Sequence, residues 1–159
     1  MVQYYADADK KHMYPRSIGF INKHSTVHQI NLESSFMSKD YVDAFCHGIE
    51  VDDSLRELNM RNSGLTSVSG IKIASALKKT QIKSVDFSEN PALDLSFYSE
   101  IADLLMSPKL KIQEVIMEGN KMKDSNCKLL CTNLINSTSI TVLNLSRNHI
   151  TDHSCHYIC

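Results

Sequence analysis

The chain has 159 residues, 42% hydrophobic and 22% charged, with a formal net charge of −1. That length suffices for one domain with a real core, and so even a charge balance gives no footprint for nucleic acid or an anionic membrane surface. No apolar run approaches the roughly 20 residues of a spanning helix, and the opening "MVQYYADADKKHMYPRS" lacks the apolar centre of a secretory leader.

In chain order, residues 1–13 are polar, and "RSIGFINKHS" can form a short amphipathic helix with Ile18 and Ile21 or Phe20 facing inward. Residues 1–26 are therefore expected to be a tail and a short capping helix. From Val27 a motif begins to recur. "VHQINLESSFM", "LRELNMRNSGL", "IKSVDFSENPAL", "IQEVIMEGNKM" and "ITVLNLSRNHI" start at Val27, Leu55, Ile82, Ile112 and Ile140, with spacings of 28, 27, 30 and 28 residues. Each places apolar residues at its first, fourth and sixth positions and a small polar residue at its ninth: Ser35, Ser63, Asn90, Asn120 and Asn148. Self-similarity at such a period marks a repeat architecture.

Between these segments the apolar spacing turns helical. Val42, Phe45 and Ile49 show it, as do Gly70, Ile73 and Leu77, then Ile101, Leu104 and Leu105, then Cys127, Leu130 and Leu134. Each unit is thus a short strand, a turn and an amphipathic helix of about three turns. Such a unit cannot bury its apolar face alone, so neighbours must stack into a solenoid. The expected architecture is α/β, with five units over residues 27–159 and the last incomplete. Leu58, Val85, Val115 and Leu143 should form one buried row. Leu32, Met60, Phe87, Met117 and Leu145 should form a second. At the end, "CHYIC" aligns with "CKLLC", so the final helix is expected to stop about one turn short of its third apolar contact. An open edge bearing Leu145 and Ile150 would then need either continuing repeats or another subunit to cover it.

The pattern resembles a leucine-rich repeat, and its period with a full helix resembles the ribonuclease-inhibitor-like class. The resemblance implies a horseshoe arc with parallel strands on the concave face and helices on the convex face. It also implies that Asn90, Asn120 and Asn148 bond to backbone groups of the turns, a role that Ser35 and Ser63 can fill only in part. It further implies a non-enzymatic scaffold for protein–protein interaction. The chain is similar to small intracellular family members that are subunits of cytoskeletal assemblies, among them the leucine-rich repeat subunit of the ciliary nexin–dynein regulatory complex. The alternative that the resemblance offers is a regulator gripping an enzyme or small GTPase, as a ribonuclease inhibitor or the GTPase-activating protein for Ran does.

Zinc-competent residues cluster late: Cys127, Cys131, His153, Cys155, His156 and Cys159. The repeat accounts for them differently, because Cys155 and Cys159 each follow Cys127 and Cys131 by 28 residues. Cysteine at the start of each helix is expected to act as a small apolar residue, with no metal. Five cysteines, an odd set, do not make a disulfide framework. A reducing, cytoplasmic setting follows, with a cilium, axoneme or other cytoskeleton as the setting that the resemblance adds. The sequons at Asn136 and Asn144 should then be silent. No Gly-rich phosphate loop and no nucleophile–base pattern is present, so no cofactor and no catalytic residue is expected.

What remains is the strand face. The residues flanking the core positions should line the concave side: Gln29, Asn31 and Glu33; Glu57, Asn59 and Arg61; Ser84, Asp86 and Ser88; Glu114, Ile116 and Glu118; Val142, Asn144 and Ser146. Glu33, Glu57, Asp86, Glu114 and Glu118 are acidic against Arg61 alone. The expected partner is a protein carrying a basic or mixed-charge segment, with Ile116 and Val142 as apolar anchors. Nucleic acid and membrane are not expected partners.

Overall fold

The computed structural model describes residues 28–107, 109–110, 112–135 and 137–158. The expected tail and capping helix, the first strand's opening Val27, Asn136 and Cys159 lie outside the described residues.

Five three-residue strands alternate with helices: β1 (Gln29–Asn31), α1 (Lys39–Glu50), β2 (Glu57–Asn59), α2 (Ser67–Leu77), β3 (Ser84–Asp86), α3 (Leu95–Leu105), β4 (Glu114–Ile116), α4 (Asp124–Leu134) and β5 (Val142–Asn144). A 3-10 turn, Asp152–Ser154, then leads into the short α5, Cys155–Ile158. The strands form one parallel sheet in sequence order. Among the described residues each helix packs against no helix but its neighbours in the array, as expected of a solenoid-like arrangement.

Register follows the repeat. Ile30, Leu58, Val85, Val115 and Leu143 stand side by side across the sheet. The first four are buried, as are Leu32, Met60, Phe87 and Met117 of the second row. Leu143 and Leu145 depart from expectation: both are half-buried. Leu143 lies on β5 and Leu145 just past it, and among the described residues no further strand packs beside them.

The polar position after each strand does what a buried turn requires. Asn90 is fully buried, and its Nδ2 donates to the carbonyls of Met60, Phe87 and Ser88, each at 2.9 Å. Its Oδ1 accepts the Leu65 amide. Asn120 Oδ1 accepts the Asn90 amide at 2.7 Å, and Asn148 Oδ1 accepts those of Asn120 and Met122 at 2.9 Å. Asn148 Nδ2 in turn donates to the carbonyls of Met117 and Leu145. The three asparagines thereby join successive turns, Asn90 and Asn120 through buried groups that otherwise would be unpaired; Asn148, expected to be buried as well, is only half-buried. Ser63 covers less: its hydroxyl donates to the Leu32 carbonyl at 2.9 Å.

The turn itself is tight. The residue before each of these polar positions adopts a left-handed backbone: Ser34, Asn62, Glu89, Gly119 and Arg147, with φ from 52° to 68°. Only one is glycine, so the array holds several side chains where they cost about 1 kcal/mol each.

Helix spacing is set by Gly70 in α2. A Cβ there would lie 2.7 Å from Phe97 Cδ2 and 3.1 Å from Leu93 Cδ2. Phe97 has little freedom to retreat, because its ring meets Phe87 and Tyr98 edge-on at 5.3 and 5.5 Å. Replacing Gly70 by Ala gains about 1 kcal/mol of helix propensity but overpacks a wall that costs about 1–3 kcal/mol. Chemical denaturation of Gly70→Ala should therefore show a net loss of stability; a more stable variant would mean that the Phe97 ring has room to move.

Candidate functional site

The outward strand positions form three rows across the sheet. The first holds Gln29, Glu57, Ser84, Glu114 and Val142; the second holds Asn31, Asn59, Asp86, Ile116 and Asn144. The third, just past the strands, runs through Glu33, Arg61, Ser88, Glu118 and Ser146. The strands' inward residues are buried or half-buried beneath them, so the rows make one continuous open face.

Each row has its own chemistry. In the first, Glu57 is exposed, while Glu114 accepts the Ser84 hydroxyl at 2.7 Å. In the second, four of five side chains turn back on their own backbone. Asn31, Asn59, Asp86 and Asn144 accept the amides of Glu33, Arg61, Ser88 and Ser146 at 2.8–2.9 Å. These are Asx turns that bend the chain out of the strand. Part of each side chain's bonding capacity is thereby committed within the chain. Ile116 interrupts that row.

The third row is an ion-pair network. Arg61 reaches Glu89 at 3.2 Å and Glu118 at 3.4 Å, and Glu118 also holds Arg147 Nε at 3.3 Å. The Glu89 carboxylate rests over Gly119, where a Cβ would come within 3.0 Å of it. Isolated pairs at such exposure are worth about 0–1 kcal/mol, so this network orients charge more than it stabilises the fold. Glu89 and Arg147 lie outside the strand pattern. The signal for them is positional, since both hold the left-handed place ahead of the polar residue.

One expectation needs correction. Ser88 is buried rather than open, because its hydroxyl accepts the Glu118 amide at 3.1 Å. Ile116 and Val142 lie on adjacent strands, where the register sets Val142 beside Glu114 and Ile116 beside Asn144, so the pair is diagonal. The acidic residues fall unevenly along the face. Arg61 and Arg147 neutralise the Glu89–Glu118 end, whereas Glu57, Asp86 and Glu114 have no ion pair among the described residues. Glu33 stands exposed beyond them at the β1 side.

Cys127 and Cys131 lie buried on α4 with their sulfurs 3.9 Å apart. Burial pushes the Cys131 thiol up to about 12, with Cys127 adding to the shift. Burial, then Asp43 and Glu50, do the same to Cys46. Such thiols are poor ligands and nucleophiles. Cys155, expected to pack like Cys127, is exposed: among the described residues only Cys127 is covered by a following strand and helix. Among the described residues no three His, Cys, Asp or Glu side chains are grouped to hold a metal. No helix among them is long and apolar enough to cross a membrane.

The far side of β5 carries a second feature. A cleft of about 400 Å³ opens there, lined by Cys131, Thr132, Leu134, Ile135, Leu143, His156, Tyr157 and Ile158. Asp124, the first residue of α4, ties down the turn that leads into this wall. Its carboxylate accepts from Ser154 Oγ at 2.6 Å, the Thr151 amide at 2.8 Å and Thr151 Oγ1 at 2.7 Å. No known protein family and no curated protein matches the chain.

Those hydrogen bonds, led by Ser154, hold the Asp124 carboxyl down at about 2 from an ordinary 3.8. A group with a depressed folded value stabilises fully above its unfolded value and loses that contribution as pH falls through the folded one. The 151–158 turn should therefore loosen between about pH 4 and pH 2. Protection of the Thr151 and Ser154 amides against exchange, relative to their intrinsic rates, should fall across that window, and Asp124→Asn should flatten the dependence. An unchanged pH profile in the variant would show that the carboxylate does not hold the turn.

Proposed function

We propose that the chain is a non-enzymatic leucine-rich repeat solenoid of the ribonuclease-inhibitor-like class that serves as a protein-interaction scaffold. In this reading the sheet bends into a horseshoe with its strands on the concave side and helices on the convex side. The observation that supports it most is the registered open face. Five parallel strands at about 4.8 Å spacing span about 20 Å, a width that six extended residues of a partner cross. Extended solenoid faces are suited to such partners.

The partner's chemistry follows from the rows. Glu57, Asp86 and Glu114 favour a basic or mixed-charge segment, and Ile116 and Val142 supply separate apolar contacts. Asn59 and Asn144 contribute what their Asx turns leave free. Arg61 and Glu118 act as a preoriented charged rim rather than as independent contacts, with Glu33 at the first-strand end. The even charge balance supports a protein partner over nucleic acid or membrane. The setting we favour is intracellular, within a cytoskeletal or ciliary axonemal assembly, on the strength of the family resemblance alone.

Affinity capture with the intact chain and with a Glu57→Lys/Glu114→Lys variant tests this reading. Wild type should retain cytoskeletal or axonemal proteins that the variant loses by at least about tenfold, the effect of about 1.4 kcal/mol, while both keep the same circular dichroism. Equal recovery by both would remove the open face from the proposal. Capture of a single small GTPase or nuclease would favour the regulator instead.

A further inference from the structure

The junction of the first two units breaks the repeat pattern in two places. Phe36 holds the tenth place of its unit, where the later units carry Gly64, Pro91, Lys121 and His149. Val68 is the second residue of α2, where the other units carry Asp40, Ser96, Ser125 and His153. Both are exposed, at 75% and 67%. Single exposed apolar residues are ordinary, but these two line one cleft, and an apolar patch of that kind marks a binding surface.

The cleft has a volume of about 240 Å³, more than the roughly 150 Å³ that holds a benzene molecule. Buried Met37 and Val42 line it together with Phe36 and Val68. The Phe36 ring lies against Gly64, where a Cβ would come within 2.9 Å of Cδ2, so the missing side chain at Gly64 lets the ring form a wall. Lys39 and Lys72 also line the cleft, and among the described residues no acid does. Lys72 pairs with Asp43, whereas Lys39 has no ion pair among the described residues. The lining comes from two adjacent units that are already stacked, so a further repeat at either end of the array would not fill it.

We propose that this cleft docks an acidic aromatic segment, and that its occupant is residues 3–9 of the same chain, "QYYADAD". The 27 residues ahead of His28 contain two acids, Asp7 and Asp9, and both stand in this stretch beside Tyr4 and Tyr5. The remainder carries Lys10, Lys11, His12, Arg16 and Lys23, which Lys39 and Lys72 would repel. Laid extended, the stretch sends Tyr5, Asp7 and Asp9 to one side at intervals of about 7 Å. The Tyr5 ring then fills the cleft between Phe36 and Val68, and the two carboxylates that follow meet Lys39 and Lys72.

The segment has the reach to do this. Lys39 follows His28 by 11 residues, so the cleft lies within about 40 Å of His28 on any path. Asp9 precedes His28 by 19 residues, which extend to about 60 Å. A tethered segment acts at an effective concentration of about a millimolar, so a contact too weak to hold a free peptide is populated within the chain. The cleft is also separate from the open face, since no residue of the three strand rows lines it.

Solution NMR of the full chain tests the proposal with substitutions that fall outside the repeat array. Nuclear Overhauser contacts should join the Tyr5 ring to the Val68 methyls and persist on dilution. Tyr5→Ala, or Asp7→Lys/Asp9→Lys, should shift the Val68 and Lys39 resonances and lower the ratio of docked to free segment about tenfold. Tyr4→Ala should leave those resonances in place. So should Glu57→Lys/Glu114→Lys, which separates this result from that of the open face. Absence of contact between Tyr5 and Val68, equal effects of Tyr4→Ala and Tyr5→Ala, or resonances insensitive to the charge reversal would overturn the proposal. Contacts seen only between differently labelled chains would do so too, by assigning the cleft to a second copy.

Discussion

Three-residue strands followed at once by a left-handed turn leave a dense set of backbone groups with nowhere to go, and the buried amide of Asn90 answers that constraint. Its Nδ2 serves three carbonyls from two adjacent units, while its Oδ1 serves an amide of the preceding one. Asn120 and Asn148 pass the same linkage along. A side chain with one acceptor and two donor hydrogens suits this position, and a hydroxyl with a single donor does not. The stacking distance of the units is therefore fixed by polar satisfaction as well as by apolar burial.

Once the turns are locked, the other features follow. In-register strands send their inner residues into a common core and leave rows of polar residues outside. The helices are drawn close where Gly70 admits the Phe97 ring. The asparagine linkage has a direction, since each amide donates to the next unit's side chain.

Much of this architecture was legible in the sequence because two periods are written over each other. The strand and helix positions emerge from the apolar spacing, and the phase of the buried residues from the recurrence of Leu58, Val85 and Val115. Legibility failed where the repeat breaks its own symmetry. Leu143 and Leu145 carry the motif of core residues yet lie half-buried, because a repeat pattern cannot say what covers a given unit. Ser88 reads as an outward position until the Glu118 amide is seen to need it. The second-row residues Asn59, Asp86 and Asn144 read as partner contacts, although an Asp or Asn between the two core positions is also the signature of an Asx turn. Glu89 and Arg147 were missed because their place on the surface depends on a backbone conformation that neither residue announces.

The central claim is that asparagine side chains, and not apolar packing alone, hold adjacent units in register. Equilibrium unfolding of Asn90→Ala measures it most directly. Four hydrogen bonds end on this fully buried side chain, and leaving even two backbone groups unpaired should cost about 3 kcal/mol or more. A loss below about 0.5 kcal/mol, the range of an ordinary surface substitution, would contradict the account.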